Sequence, residues 1–388
     1  MIILGIESSC DDTSVALLDC SSKGFFVLKE ITASQIEIHK KYGGVVPEVA
    51  GRMHAEKIVP LIEEVLKNQP KPDSIVVSSG PGLITGLIVG VESARTLSYS
   101  LDIPLVSVNH LEGHIHSVEI GEGGLSAGRQ EIKYPALALI ASGGHTELVL
   151  MKKQGKYQVL GKTRDDAAGE CFDKVAKLLD LPYPGGPQIS KLGKNGNSKA
   201  IDLPRPMLVR RKSEWVCNES KGGLNRDNFD FSFSGLKTAC LYYLQKNPLC
   251  NKTIPDCHPE LDSGSFSQGN TKKDSDFRQN DSCVNKNDFC ASFEQAVTDV
   301  LVKKTIKAAL KHKPKTVILG GGVSANKKLR VTLEKEIQTN LENTKLLLPN
   351  PKYSMDNASM IAVAGYYKAK KKKFTKWNKI DANPNWEL

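Results

Sequence analysis

The chain has 388 residues, 40% hydrophobic and 25% charged; at roughly 100–200 residues per domain this suits an ordinary globular protein of two lobes with a sizeable core. Lys and Arg total 53 against 43 Asp and Glu, a net charge of +10, and a basic surface attracts polyphosphate, so a nucleic acid is a candidate partner. No apolar run approaches the ~18 residues of a membrane span, and nine irregularly spaced cysteines without a Cys-x-x-Cys pair fit a reducing compartment rather than a disulfide framework.

Met1 leads directly into an apolar strand at residues 2–6 with no basic segment or cleavage site, so no signal peptide is expected and the cytoplasm is the default location. A polar turn, Glu7-Ser8-Ser9-Cys10-Asp11-Asp12, joins it to a second strand at 13–18. A helix is expected over 54–66, where Ile58, Leu61, Ile62, Val65 and Leu66 recur at helical spacing. A buried strand at 74–78 precedes the glycine-rich turn Gly80-Pro81-Gly82-Leu83-Ile84-Thr85-Gly86, which opens an apolar helix. A short strand at 105–108 leads into a His-rich segment from His110. The pattern then restarts: strand at 134–141, small-residue turn Ser142-Gly143-Gly144-His145, strand at 146–151. This echo predicts two lobes on one plan, built from mostly parallel, right-handed α/β units.

Residues 249–287 are polar, turn-rich and aperiodic, and read as an exposed insertion without catalytic duty. Five of the nine cysteines lie between Cys240 and Cys290, but their spacing is too wide, with only His258 among them, to favour a zinc site. An amphipathic helix over 293–310, a strand at 316–319, the turn Gly320-Gly321-Gly322-Val323-Ser324-Ala325-Asn326 and a helix from Lys327 complete the pattern. Lysines 368, 370–373, 376 and 379, with Phe374 and Trp377 among them, form a basic tail, and Arg205, Arg210, Arg211 and Lys212 a second cluster. On composition a solvated tail explains the lysines better than polyanion binding does.

The chemistry starts at His110-Leu111-Glu112-Gly113-His114. Histidines at i and i+4 share one helix face and can share a metal, with a carboxylate as the usual third ligand; a pair of packing histidines is an equal alternative. The protease signature places its glutamate next to the first histidine. Here Glu112 stands two residues on, ~200° round the helix from the ligand face, so a protease lacks its base. The glycine turns at Ser142-Gly143-Gly144 and Gly320-Gly321-Gly322 let backbone N–H groups approach phosphate or ribose. Asp165, Asp166, Glu170 and Asp173 could bind ribose or metal, or complement a helix dipole. Asp356, in Ser354-Met355-Asp356-Asn357, is either a helix N-cap or the missing carboxylate ligand.

Taken together, Gly5-Ile6-Glu7-Ser8-Ser9-Cys10-Asp11-Asp12-Thr13, Tyr42-Gly43-Gly44-Val45-Val46-Pro47-Glu48, the segment His110 to His114, Ser142 to Thr146, Asp230-Phe231-Ser232-Phe233-Ser234-Gly235-Leu236-Lys237-Thr238 and Gly320 to Asn326 resemble the tRNA threonylcarbamoyladenosine transferase family, formerly labelled O-sialoglycoprotein endopeptidase. The resemblance runs from Leu4 to about Tyr367. It implies an α/β, actin- and Hsp70-like fold with a nucleotide cleft between duplicated lobes, one lobe from 1–116 plus about 345–388 and the other from 117–344. It implies transfer of a threonylcarbamoyl group from threonylcarbamoyl-AMP to N6 of adenosine 37 in tRNAs reading codons that begin with A. By motif position it implies His110, His114 and Asp356 as ligands of one divalent metal, iron with zinc as the alternative. Ile140, Ala141, Ser142, Gly143, Gly144, Asp173, Gly186 and Asn326 are implied to line the substrate site. It also implies tRNA, a smaller paralogous subunit and a small ATPase as partners. The proton acceptor is not evident from the residues; Asp11 is the candidate. A metalloprotease, a sugar kinase or ATPase of the same fold, and a non-catalytic paralogue remain the alternatives.

Overall fold

The computed structural model describes residues 1–121, 130–211, 214–217, 228–249 and 283–388. Two five-stranded sheets organise it. The first takes β1 (Ile2–Glu7), β2 (Asp12–Ser21) and β3 (Gly24–Ser34), then, after the short α1 (Ile36–His39) and the long α2 (Pro47–Leu66), β4 (Ser74–Gly80), α3 (Ile84–Leu101) and β5 (Leu105–Asn109). A short helix, α4 (His110–His116), leads into the second half: β6 (Ala136–Ala141), β7 (Thr146–Lys153), β8 (Lys156–Lys162), α5 (Ala168–Leu178) and α6 (Gly185–Gly193). A two-stranded ribbon follows, β9 (Leu208–Arg211) with β10 (Glu214–Cys217), then α7 (Ser234–Lys246), α8 (Lys286–His312), β11 (Thr316–Gly320), α9 (Lys327–Asn340), β12 (Lys345–Leu347) and α10 (Ala358–Lys370).

The sheets run in the orders β3-β2-β1-β4-β5 and β8-β7-β6-β11-β12. In each, an antiparallel three-strand meander precedes two strands added in parallel by helical crossovers. The duplicated plan expected from the repeated hairpin is thus present, but the sheets are mixed rather than mostly parallel. The tight turns after β1, β2, β6 and β7 leave no room for a crossover helix, so those strands must pair antiparallel. β12 pairs with β11, so residues 345–347 belong to the second sheet.

Both faces of each sheet are covered, which explains the unbroken apolar runs of β1, β4 and β6. On the first sheet, Leu4, Ile6, Ile75 and Val77 meet Ile58, Ile62, Val65 and Val91 of α2 and α3, while Ile3, Val76 and Val106 meet α10 on the other face. On the second, Leu137, Leu139 and Leu319 pack under α5 to α9. Its other face, Ala138, Ile140 and Ile318, receives Leu111, Ile115 and Val118 from α4 and the turn after it. α4 therefore lies in the seam, on the second sheet and directly after β5 of the first.

Four expectations shift. The helix expected from His54 begins at Pro47. The helix expected to be amphipathic over 293–310 is α8, buried on nearly every face from Phe289 to Ala309; it crosses the middle of the second lobe's core, where no polar side is needed. Most of the expected insertion, 250–282, lies outside the described residues. Its expected end at 287 is too late, since Asn285 caps α8 and accepts from Asn287 N. Arg205, assigned to a basic surface cluster, is buried and paired with Asp299 at 3.0 Å. Cys10, Cys20, Cys171, Cys240 and Cys290 are free thiols, whereas Cys283 is disulfide-bonded.

Candidate metal centre at the lobe seam

Strands β1, β5, β6 and β11 all point their carboxyl ends at one region, the position where open α/β sheets bind ligands. β5 ends in Asn109, whose side chain caps α4 by accepting from Leu111 N at 2.9 Å. The cap sets α4 so that His110 and His114 stack one turn apart, their rings 4.6 Å between centroids. Asp356 reaches the same point from the loop before α10. His110 Nε2 lies 3.5 Å and His114 Nε2 3.2 Å from Asp356 Oδ1. Two ligands about 2.1 Å from one ion at a tetrahedral angle stand about 3.4 Å apart, so these spacings match a shared cation. His114 Nε2 is buried and makes no well-aligned hydrogen bond despite the nearby carboxylate: its lone pair and the carboxylate converge on a common point rather than on each other. The three residues form a group that can hold a metal, the single such group among the described residues.

Asp356 is a ligand candidate because it is not a cap. Asn357, the next residue, caps α10 by accepting from Met360 N at 2.8 Å. The loop is pinned from both lobes: Ser14 Oγ accepts from Ala358 N at 3.0 Å, Glu30 accepts from Ser359 N at 3.1 Å, and Arg330 donates to Ser354 Oγ at 3.0 Å.

Behind His110 stands Glu7, the last residue of β1 and fully buried. Its Oε2 lies 2.9 Å from His110 Nδ1, and its Oε1 accepts from Ser9 N at 2.6 Å. Burial opposes charge on all these groups, yet the carboxylates of Glu7 and Asp356 outweigh it and raise His110 to about 9. In turn, and again against burial, His110 holds Glu7 below its ordinary value, and His110 and His114 hold Asp356 far below its own. Burial keeps His114 neutral by lowering it. Two carboxylates, Glu7 buried and Asp356 partly exposed, thus draw positive charge to this spot. Glu112 points elsewhere, pairing with Lys368 at 3.0 Å, which removes the base a protease would need.

The triple glycine after β11 serves close packing rather than an open phosphate cradle. A Cβ at Gly320 would lie 2.7 Å from the His114 carbonyl oxygen, and one at Gly321 (φ +85°) 2.4 Å from that of Ala141. Gly322 faces Met355, beside Asp356. The run therefore knits α4, the end of β6 and the Asp356 loop together. Ile140 and Ala141 are buried in the core, so the exposed part of that motif is Gly143 and Gly144, whose Cα atoms face open space. Thr146 heads β7 after them, and His145 between is held neutral, at about 4, by burial and by His110 and His114.

Asp173 and Gly186, far apart as motifs, meet at the start of α6, where Gly185 N donates to Asp173 Oδ1 at 2.7 Å. Burial, and the charge of Asp11 beyond it, raise Asp173 to about 6. Asp11 crosses the cleft to accept from Tyr183 Oη at 3.3 Å. Asn326 is committed to the fold: its Oδ1 caps α9 through Leu329 N at 2.9 Å, and its Nδ2 donates to Glu294 at 2.7 Å and Ser190 at 3.0 Å. Asp165 and Asp166 are structural. Asp165 accepts from Phe233 N at 2.8 Å and the Ser232 and Ser234 hydroxyls at the head of α7, and Asp166 pairs with Lys174 at 2.7 Å. Sequence reading missed Glu7 and His145; an acid closing an apolar strand just before a polar turn was the available signal for the first.

Comparison with known proteins is consistent across the chain. The family model for tRNA N6-adenosine threonylcarbamoyltransferase matches residues 26–363. Curated proteins of that name are similar throughout: one from Anoxybacillus flavithermus is 40% identical over 94% of this chain and 91% of its own length. One from Listeria monocytogenes is 41% identical over 94% and 90%, and one from Bacillus thuringiensis 40% identical over 100% and 96%. Among solved structures, an activator of 2-hydroxyisocaproyl-CoA dehydratase from Clostridium difficile aligns over 96% of this chain and 97% of its own at 12% identity, with a TM-score of 0.49.

Proposed function

The chain belongs to the tRNA N6-adenosine threonylcarbamoyltransferase family, and from that premise we propose that its donor is threonylcarbamoyl-AMP and its acceptor adenosine 37 of tRNAs reading codons that begin with A. It is an acyltransferase acting on tRNA. The observation that carries the site assignment is the convergence of His110 Nε2, His114 Nε2 and Asp356 Oδ1 within 4.8 Å of one another at the lobe seam.

The chemistry follows from a weak nucleophile. The exocyclic amine of adenine shares its lone pair with the ring, so the acyl group must arrive activated, as a mixed anhydride with phosphate. His110, His114 and Asp356 would hold one divalent cation, iron by family resemblance or zinc, which when bound supplies Lewis-acid polarisation of the anhydride. Ser142 closes the turn, its N–H donating to His145 O at 2.8 Å, and the backbone N–H groups of Gly143 and Gly144 would donate to the donor's oxygens. The α6 N-terminus, with Asp173 set against Gly185 and Gly186, orients the ribose. Ile140, Ala141 and Asn326 shape the site through backbone and packing. Asp11 is the proton acceptor: burial and the neighbouring charge of Asp356 raise it above an ordinary carboxylate, which makes it a stronger base for the amine proton. Its hydrogen bond from Tyr183 spans the two lobes.

The proposal extends to partners and place: tRNA, a smaller paralogous subunit and a small ATPase, in the cytoplasm. No helix among the described residues is long and apolar enough to cross a membrane. The test is reconstitution of the chain with its partner proteins, tRNA and threonylcarbamoyl-AMP. One AMP released per modified adenosine, read by mass spectrometry of the digested tRNA, is expected. AMP release without a modified nucleoside overturns the reading.

A further inference from the structure

We propose that Glu7 is the positioning residue of the metal centre, its buried carboxylate locking His110 in the tautomer and orientation that aim Nε2 at the ion. The inference rests on reading His110, His114 and Asp356 as ligands.

Both Glu7 oxygens are occupied, Oε2 by His110 Nδ1 at 2.9 Å and Oε1 by Ser9 N at 2.6 Å, so the carboxylate has a single orientation. An ionised carboxylate only accepts. It therefore fixes an imidazole N–H on Nδ1, so that Nε2, the nitrogen that faces Asp356, is the one whose proton a cation displaces on binding. Ser9 Oγ, 3.1 Å from the same Nδ1, closes the back of the ring. His114 differs: its Nδ1 is buried and has no hydrogen-bond partner among the described residues, and the ring is held by packing, with Gly320 against its carbonyl. The centre is thus asymmetric, one imidazole fixed from behind by a charge and one not. A carboxylate behind a ligating imidazole orients it and strengthens it as a donor, and its loss typically weakens metal binding 10–100-fold. The competing explanation is a buried pair that only ties β1 to α4.

The two are separated by titrating Co²⁺ into the chelator-stripped full-length protein and following its visible d–d bands. Wild type, Glu7→Ala, Glu7→Gln and His110→Ala are compared, each checked for folding by circular dichroism. Glu7→Ala is expected to weaken Co²⁺ binding about 10–100-fold and to shift the bands. Glu7→Gln keeps an acceptor oxygen without the charge and is expected to recover part of that loss. Lower melting temperatures with unchanged Co²⁺ affinity and spectrum in the folded variants overturn the proposal. If Glu7→Ala does not fold, Glu7→Gln decides: affinity and bands equal to wild type overturn it. Failure of the metal reading shows separately, as wild type that takes up no Co²⁺ or His110→Ala that binds it as wild type does, and that outcome removes this inference too.

Discussion

Asp12 opens β2 beside the candidate metal centre, with Oδ1 buried and meeting no hydrogen-bond partner among the described residues. Burial, opposed by Ser34 but reinforced by the charges of Asp11, Asp356 and Glu7, raises it to about 7. A carboxyl raised in the folded state holds more protons folded than unfolded. Stability is therefore lost as pH climbs from about 4, the unfolded value, through 7. Asp12→Asn removes that titration. In chelator-treated protein it is expected to exceed wild type by about 1–3 kcal/mol at pH 8 and to lose that margin at pH 4, as read by urea unfolding. An equal margin at both pH values contradicts the assignment. At this scale the sequence was legible where spacing alone decides: His110 and His114 share a face because they stand four apart on a helix. It was ambiguous at Asp356, since Asp356 and Asn357 are both good caps and only the backbone geometry gives the cap to Asn357. It was silent on Glu7, whose partner lies 103 residues away.

Elements carry the site through their ends. Gly321 shows the cost of altering one: its φ of +85° and the Ala141 carbonyl oxygen 2.4 Å from where a Cβ would lie exclude a side chain. Gly321→Ala is expected to lower stability by about 1–3 kcal/mol and to weaken Co²⁺ binding, because the neighbouring Gly320 backs His114. Unchanged stability in denaturant titration contradicts this packing role. Leu249 and Val284 form a backbone bridge, with Val284 N donating to Pro248 O at 3.0 Å, so the described chain ends on either side of 250–282 already meet. Replacing residues 251–282 with a short Gly-Ser link is expected to leave melting temperature and transfer activity within twofold of wild type; loss of activity in a folded variant contradicts it. Sequence reading misjudged α8, because a helix buried all round has no polar stripe to fix its phase.

At the scale of the whole molecule, α4 is the joint. Its apolar residues pack on the second sheet, its His110 and His114 face a loop pinned by both lobes, and beyond them His116, Glu119, Tyr157 and Tyr367 form a partly buried polar network linking the halves. The repeated hairpin made the duplicated plan legible in the sequence, whereas the mixed pairing was not, since strand direction depends on how the chain returns rather than on apolar pattern. The charge of +10, with Lys371, Lys372, Lys373, Lys376 and Lys379 exposed, suits a polyanionic substrate. All of this converges on whether the seam residues support acyl transfer to tRNA. The direct measurement is modified adenosine formed from threonylcarbamoyl-AMP and tRNA in a single turnover, counted by mass spectrometry for wild type and for folded Asp356→Ala. Nearly stoichiometric product in wild type and a loss of at least 100-fold in the variant are predicted; equal product in both contradicts the account.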